Sequence, residues 1–148
     1  MSELINFRTE YQQRPLAVQS RTPHFSWQYE KSFKGEQTSY RIRVATSEKL
    51  LYEGSEDMWD SGEVRSAASV GVQYGGRPLC SHSRYFVCCE TTDGEGNRYR
   101  SQIASFETAL YEKSDWKGHW VSVPVNFNGG TLLNRSKGDV TIRRYDAT

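Results

Sequence analysis

Apolar and polar residues alternate in short runs along this chain, and aromatic rings fill many of the apolar positions. Phe25, Trp27 and Tyr29 alternate with Ser26 and Gln28. Tyr40, Ile42 and Val44 fall on one face of the next run, with Arg41 and Arg43 on the other. Tyr85, Val87 and Cys89 repeat the pattern between Arg84 and Glu90, and Ala104 and Phe106 continue it in a run from Arg100 to Thr108. A period of two means strands with one buried face and one wet face. Shorter strands are expected at Met58–Gly62, ending at glycine, and Ser69–Tyr74, closed by Gly75-Gly76. Lys34-Gly35-Glu36 reads as a turn, and Asp93-Gly94-Glu95-Gly96-Asn97 as a hairpin loop, because glycine and asparagine tolerate positive φ. Leu16 and Val18 alternate after Pro15 and predict a short first strand at a sheet edge, where a missing amide donor does least harm. The rest of residues 1–22 reads as polar and irregular. Ser47 to Leu51 predicts one helical turn capped by Ser47, too short to stand by itself.

About seven short strands with turns between them predict an all-β fold: an antiparallel two-sheet sandwich. Its expected core is Phe25, Trp27, Tyr40, Ile42, Val44, Leu79, Tyr85, Val87 and Phe106. Leu79 and Tyr85, six apart at the opening of a strand, resemble the tyrosine corner of fibronectin type III and immunoglobulin-like domains, whose hydroxyl bonds back to nearby backbone. Phe86 and Cys88 would face away from this core, and an outward ring in a central strand hints that another surface covers it. The sandwich is expected over residues 5–112 and a connector over 113–124. Residues 125–148 read as the incomplete start of a second domain or a disordered tail, where only Val140-Thr141-Ile142 alternates.

Charge and reactive residues narrow the functions. A net charge of +1 on 148 residues, with Arg41/Arg43 and Arg143-Arg144 as sparse basic pairs, argues against nucleic acid as a partner. No run approaches the ~20 apolar residues of a membrane span. Met1 to Asn6 does not open a secretory signal, so the expected location is cytoplasmic as written, or periplasmic or extracellular if a signal was removed. The three cysteines, Cys80, Cys88 and Cys89, do not close into a disulfide framework. Cys88 and Cys89 are strand neighbours on opposite faces, so one is expected to be buried. His24, His82 and His119 are scattered and lack metal-ligand spacing, so neither metal nor cofactor is expected.

An ordered set of segments carries a narrower resemblance. Pro23-His24-Phe25-Ser26-Trp27-Gln28, Gln37 to Ala45, and Trp59-Asp60-Ser61-Gly62-Glu63-Val64 come first. Tyr74-Gly75, Pro78-Leu79, Tyr85, Asp115-Trp116-Lys117 and Trp120 follow. Together they resemble the N-terminal module of bacterial α-L-rhamnosidases of glycoside hydrolase family 78. The resemblance covers roughly residues 4–124 and fits residues 125–148 only loosely. It implies an immunoglobulin-like sandwich placed ahead of other β-domains and a catalytic (α/α)6 barrel that holds the acid and base carboxylates. On that reading no catalytic residue lies in this chain, which is an accessory domain or fragment whose partners are the other domains of the parent enzyme.

Three clusters remain as candidate chemistry. Glu53, Glu56, Asp57 and Asp60 are close enough in sequence to suggest a carboxylate pair, although a solvated acidic loop explains them as well. Trp59, Asp60 and Tyr74 are the candidate sugar contacts, and they support the alternative of a carbohydrate-binding module for rhamnose-containing glycans. In the bland reading Trp59 seals a sandwich edge and Asp60 bonds a turn. Trp116 and Trp120 are candidate interdomain contacts or caps on the sandwich end. A helix that would align them is doubtful across Gly118.

Overall fold

The computed structural model describes residues 2–122 and 143–145. Residues up to Glu112 form one compact unit, and Lys113 onward a second. The first unit contains β1 (Ser2–Thr9), β2 (His24–Tyr29), β3 (Gln37–Ala45), α1 (Glu48–Glu53), β4 (Trp59–Asp60), β5 (Val64–Arg65), β6 (Val72–Gln73), β7 (Arg84–Asp93), β8 (Arg98–Ser101) and β9 (Ala104–Glu107). These nine strands form one curled sheet in the order β4-β3-β7-β8-β1-β2-β6, with β5 also on β3 and β9 also on β7. The expected all-β sandwich is therefore present, with one difference. The pairing is mixed, because β1 runs parallel to β8 with Ser2 opposite Tyr99 and Leu4 opposite Ser101. The outer edge of the β7–β8 hairpin would otherwise be a bare ladder, and β1 closes it and joins the two layers.

The core sits where β2 faces β3 and β9. Phe25, Trp27, Ile42, Val44, Val87 and Phe106 are almost wholly buried. Trp27 meets Tyr40 edge-on at 5.5 Å between centroids, and Phe25 meets Phe106 at 6.0 Å. Offset and tilted rings of this kind are preferred because ring faces and edges carry opposite partial charge. Leu79 and Tyr85 are buried, and the Tyr85 hydroxyl accepts a 2.9 Å hydrogen bond from the Cys80 amide. The tyrosine corner is thus built as its spacing implied. Tyr40 is only partly buried, packed against the edge of this core.

Four local readings are corrected. Residues 2–9 form β1, which the polar-irregular reading missed. Asn6 sits at φ 51, and the register with β2 shifts between Ile5 and Arg8, so the period of two is broken in mid-strand. The segment after Pro15 forms no named strand. Val18 is buried and bridges Thr108, Glu107 donates to the Pro15 carbonyl, and Leu16 is exposed. The run from Arg100 to Thr108 is broken between Ser101 and Ala104 into β8 and β9. Cys88 and Cys89 are both buried, because the short helix covers the outer face of β7. Leu51 of α1 is buried against Ala45 and Cys88, with Phe86, Leu50 and Ile103 around them. That helix is capped as expected: Ser47 Oγ accepts from the Leu50 amide at 3.4 Å, and Gly54 closes the other end in the left-handed region at φ 67.

In the second unit, Lys113–Asp115 make one 3-10 turn, and β10 (Trp120–Ser122) pairs antiparallel with β11 (Arg143–Tyr145). No helix joins Trp116 to Trp120, in keeping with Gly118, on which a Cβ would come 3.2 Å from the Trp116 ring. Val140-Thr141-Ile142 lies outside the described residues.

The corner makes a direct test. Tyr85→Phe keeps the ring and removes the acceptor for the Cys80 amide, and should lower stability by about 1 kcal/mol in urea denaturation. An unchanged midpoint would show that water replaces the hydroxyl at no cost.

Candidate functional site

The Trp59-Asp60-Ser61-Gly62 segment runs along the edge of β3, with Trp59 opposite Val44, Asp60 opposite Arg43 and Ser61 bonded to Ile42. Arg41 grips Asp60 with two parallel bonds, Nε to Oδ1 at 2.8 Å and Nη2 to Oδ2 at 2.5 Å. Such a fork-on-fork pair fixes direction as well as distance. Asp60 Oδ1 also accepts from the Gly62 amide at 2.9 Å, where Gly62 turns at φ 63. Ser61 exchanges bonds with Ile42: its amide donates to the Ile42 carbonyl and its Oγ accepts from the Ile42 amide. Asp60 therefore bonds its own turn and the neighbouring strand. The Arg41 guanidinium, then burial opposing it and the Gly62 amide adding to it, bring its carboxyl down to about 2.

Trp59 and Tyr74 do meet, but as packing partners. Tyr74 is almost fully buried and Trp59 half-buried, and their rings touch edge-on at 5.2 Å. The Tyr74 hydroxyl donates to the Arg77 carbonyl at 2.7 Å, and burial pushes its pKa up to about 12. Gly75 and Gly76 pack close to Trp59, and a Cβ on Gly75 would lie 3.5 Å from its indole. A Cβ on Gly76 would come within 2.4 Å of Trp59 Cβ and 2.5 Å of the Met58 carbonyl oxygen. Tyr74 therefore presents no exposed ring platform, contrary to the expectation for a sugar contact.

The neighbouring acids are held in the same way. Asp57 accepts from the amide and hydroxyl of Thr46 at 2.9 and 2.6 Å. Burial raises its pKa, and the Thr46 bonds outweigh that, so it stays below the usual carboxylate range. Glu53 faces Lys49 one turn back at 3.6 Å on the helix surface. The Glu56 side chain is 7% exposed, with Oε1 3.8 Å from Arg41 Nη2. Each of these four acids has a partner in the fold, and Glu56 and Asp60 converge on the same Arg41 guanidinium.

Trp116 is 47% exposed, and its amide donates to the Lys113 carbonyl at 3.2 Å. Trp120 opens β10, and its side chain lies outside the described residues.

A second constellation escaped the reading of the sequence. The loop after β2 and the β7–β8 hairpin are stitched together where the Gly94 amide donates to the Glu36 carbonyl at 3.1 Å. Tyr29 stacks on Phe33 with centroids 4.0 Å apart, and Tyr99 stands perpendicular to both at 5.2 Å. Asp93 gathers four donors: the Glu95 and Asn97 amides, the Asn97 side chain and the Tyr99 hydroxyl, all at 2.9–3.0 Å. The Asn97 side chain and these other donors hold the Asp93 carboxyl below its usual range. The Asp93 carboxylate in turn raises Tyr99, and burial raises Tyr29. The only sequence signal was the Asp93–Asn97 turn; the three rings come from separate segments.

Comparison with known proteins places this architecture. A family model described as the Rha78A-like, N-terminal immunoglobulin domain matches residues 4–112. An α-L-rhamnosidase of Streptomyces avermitilis is 38% identical over 129 residues, covering 86% of this chain and 12% of that protein. A crystal structure of the Streptomyces avermitilis α-L-rhamnosidase complexed with L-rhamnose superposes with a TM-score of 0.75 at 36% identity, over 82% of this chain and 12% of that one. The α-L-rhamnosidase structure from Dictyoglumus thermophilum gives 0.74 at 28% identity, over 82% of this chain and 14% of that one. The chain thus spans about an eighth of the length of these relatives.

The pH dependence of the Arg41–Asp60 pair follows from its sign. A carboxyl depressed to about 2 in the fold and near 3.9 when unfolded adds stability above about pH 4 and loses it as pH falls toward 2. Asp60→Asn should lower the urea midpoint at neutral pH, and its gap from the parent chain should shrink as pH falls through that window. A gap that stays constant would count against the pair.

Proposed function

The chain belongs to the family of Rha78A-like, N-terminal immunoglobulin domains, and we propose that it is a non-catalytic module packing against neighbouring domains of a parent α-L-rhamnosidase. The observation that carries this reading is that an immunoglobulin-domain chain matches only 12% of the length of proteins named α-L-rhamnosidase. Hydrolysis of a glycoside by inversion needs two carboxylates facing each other across room for sugar and water, ~6.5–9.5 Å apart. The acids around Asp60 are instead engaged in holding a turn and a strand edge.

A positioning module must also control how the chain leaves it. Here the last residues of the sandwich are clamped. The Arg21 guanidinium lies 4.5 Å from the centre of the Tyr111 ring and 2.5 Å from Glu112 Oε1. Tyr111 donates its hydroxyl to the Ser20 carbonyl at 3.2 Å and its amide to Ser81 Oγ at 3.0 Å. An exposed ion pair adds little alone, but with the cation–π contact and two hydrogen bonds it defines the exit. Trp116 follows at the start of the next unit and, with Trp120, is the proposed interdomain contact. No feature of Trp59, Asp60 or Tyr74 favours a sugar site at their position.

Two measurements test this. The isolated chain should release no product from an aryl α-L-rhamnoside; turnover that survives repurification and disappears on mutating Asp60 or Glu56 would overturn the reading. In a rhamnosidase carrying this domain in place of its own, Trp116→Ala and Arg21→Ala should lower the melting temperature and leave KM unchanged. A raised KM with an unaltered melting temperature would point to substrate contact instead.

A further inference from the structure

A cavity of about 410 Å³ opens between the β2–β3 connection and the β7–β8 hairpin. That size falls within the range of small-molecule sites. Tyr29, Phe33 and Tyr99 form its apolar wall, and Glu30, Lys34 and Asn97 stand among its polar groups. Glu3, Glu95 and Ser32 complete the polar lining. Asp93 belongs to the scaffold here, because its oxygens already take four donors. Phe33 stacks on the Tyr29 ring, and a Cβ on Gly35 would lie 3.0 Å from the Phe33 ring edge. The wall is therefore preformed, so little ordering cost remains for a ligand.

The polar groups select the ligand. Three glutamates repel an anion. Lys34 on the same lining opposes a cation, and it and Ser32 call for acceptors on the ligand. A ring of mixed acceptors and donors beside an aromatic wall matches a neutral ring with an apolar C–H face and several hydroxyls. We propose that this cavity binds a single neutral sugar unit, its C–H face against the Phe33 and Tyr99 wall and its hydroxyls bonded to Glu30, Lys34 and the side-chain oxygen of Asn97. The site is separate from Trp59 and Tyr74. It is also independent of the domain-packing function, which would stand if the cavity bound nothing.

The test is an amide-resolved NMR titration of the isotope-labelled full chain with L-rhamnose, D-galactose and, as a cationic probe, N-acetyl-lysine methylamide. L-rhamnose is included because it is the sugar in the Streptomyces avermitilis complex. Saturable shifts at Gly35, Gly94 and Gly96 with at least one sugar are expected. Glu30→Gln, a change on an exposed residue, should weaken binding about tenfold, as for loss of a hydrogen bond to a charged group. Phe33→Ala should abolish it, with the unchanged remainder of the spectrum reporting an intact fold. The proposal is overturned by no saturable response to either sugar, by shifts centred on Trp59 that ignore both variants, or by saturation with the lysine probe alone.

Discussion

The side-chain amide of Gln37 holds the two ring-bearing layers in one register. A buried indole N–H and buried carbonyls must find partners inside the protein, because leaving one unpaired costs about 1–3 kcal/mol. Gln37 is itself buried, and its oxygen accepts from Trp27 Nε1 and the Tyr29 hydroxyl, each at 3.0 Å. Its nitrogen donates to the Ser66 and Ala68 carbonyls at 2.9 and 2.8 Å. One amide at the start of β3 thus ties β2 to β3 and pins the loop that crosses beneath them. The hydrophobic contact of Trp27 with Tyr40 has no direction of its own, and Gln37 supplies that direction. It also anchors Tyr29, whose hydroxyl lies 2.6 Å from Thr91 Oγ1. Tyr29 carries Phe33 and Tyr99, so the cavity wall stands on this amide.

The Trp-Asp-Ser-Gly segment does comparable work at the opposite edge of β3. Arg41 and Ile42 receive it, and Gly75 and Gly76 cover Trp59. A motif that marks a family invites a functional reading, yet the side-chain oxygens of Asp60 and Ser61 are used to build an edge. A short strand sealed by a charged fork and a bulky ring is a poor template for further strands. Protection of the sheet edge is therefore a sufficient physical reason for the segment.

The sequence revealed most where one strand face was buried and the other was wet. Phe25, Trp27, Ile42, Val44 and Val87 followed that rule, and the Leu79–Tyr85 spacing disclosed a hydrogen bond as well as a fold. Legibility failed where a third element intervened. The Phe86 and Cys88 face reads as outward from β7 alone, and only the packing of Leu51 shows why it is buried. It failed again at β1, because Asn6 at positive φ shifts the register and erases the alternation. The cavity was the least legible feature. Its rings lie at positions 29, 33 and 99, and no local period connects them. Tyr99 is held there by the Asp93 hub, whose four hydrogen bonds depend on hairpin geometry rather than composition, and Tyr29 by Gln37.

The strand β7 separates two tasks. At its start, Ser81, Ser83 and the tyrosine corner meet Thr108, Ala109 and Tyr111, where the chain leaves the sandwich. At its end, Asp93 organises the hairpin beside the cavity. Ten residues of strand at ~3.3 Å each keep these ends roughly 30 Å apart. A domain fastened to its neighbours through the exit end would leave the loop end of β7 uncovered by that joint. The two ends are also built differently. The exit is fixed by an arginine on a ring and by backbone bonds, which suit a joint under load. The loop end is held by one saturated carboxylate and three crossed rings, with Glu30 and Lys34 on the cavity lining beside them. Fastening and ligand capture therefore make no competing demands on the same residues, and one small sandwich can carry both.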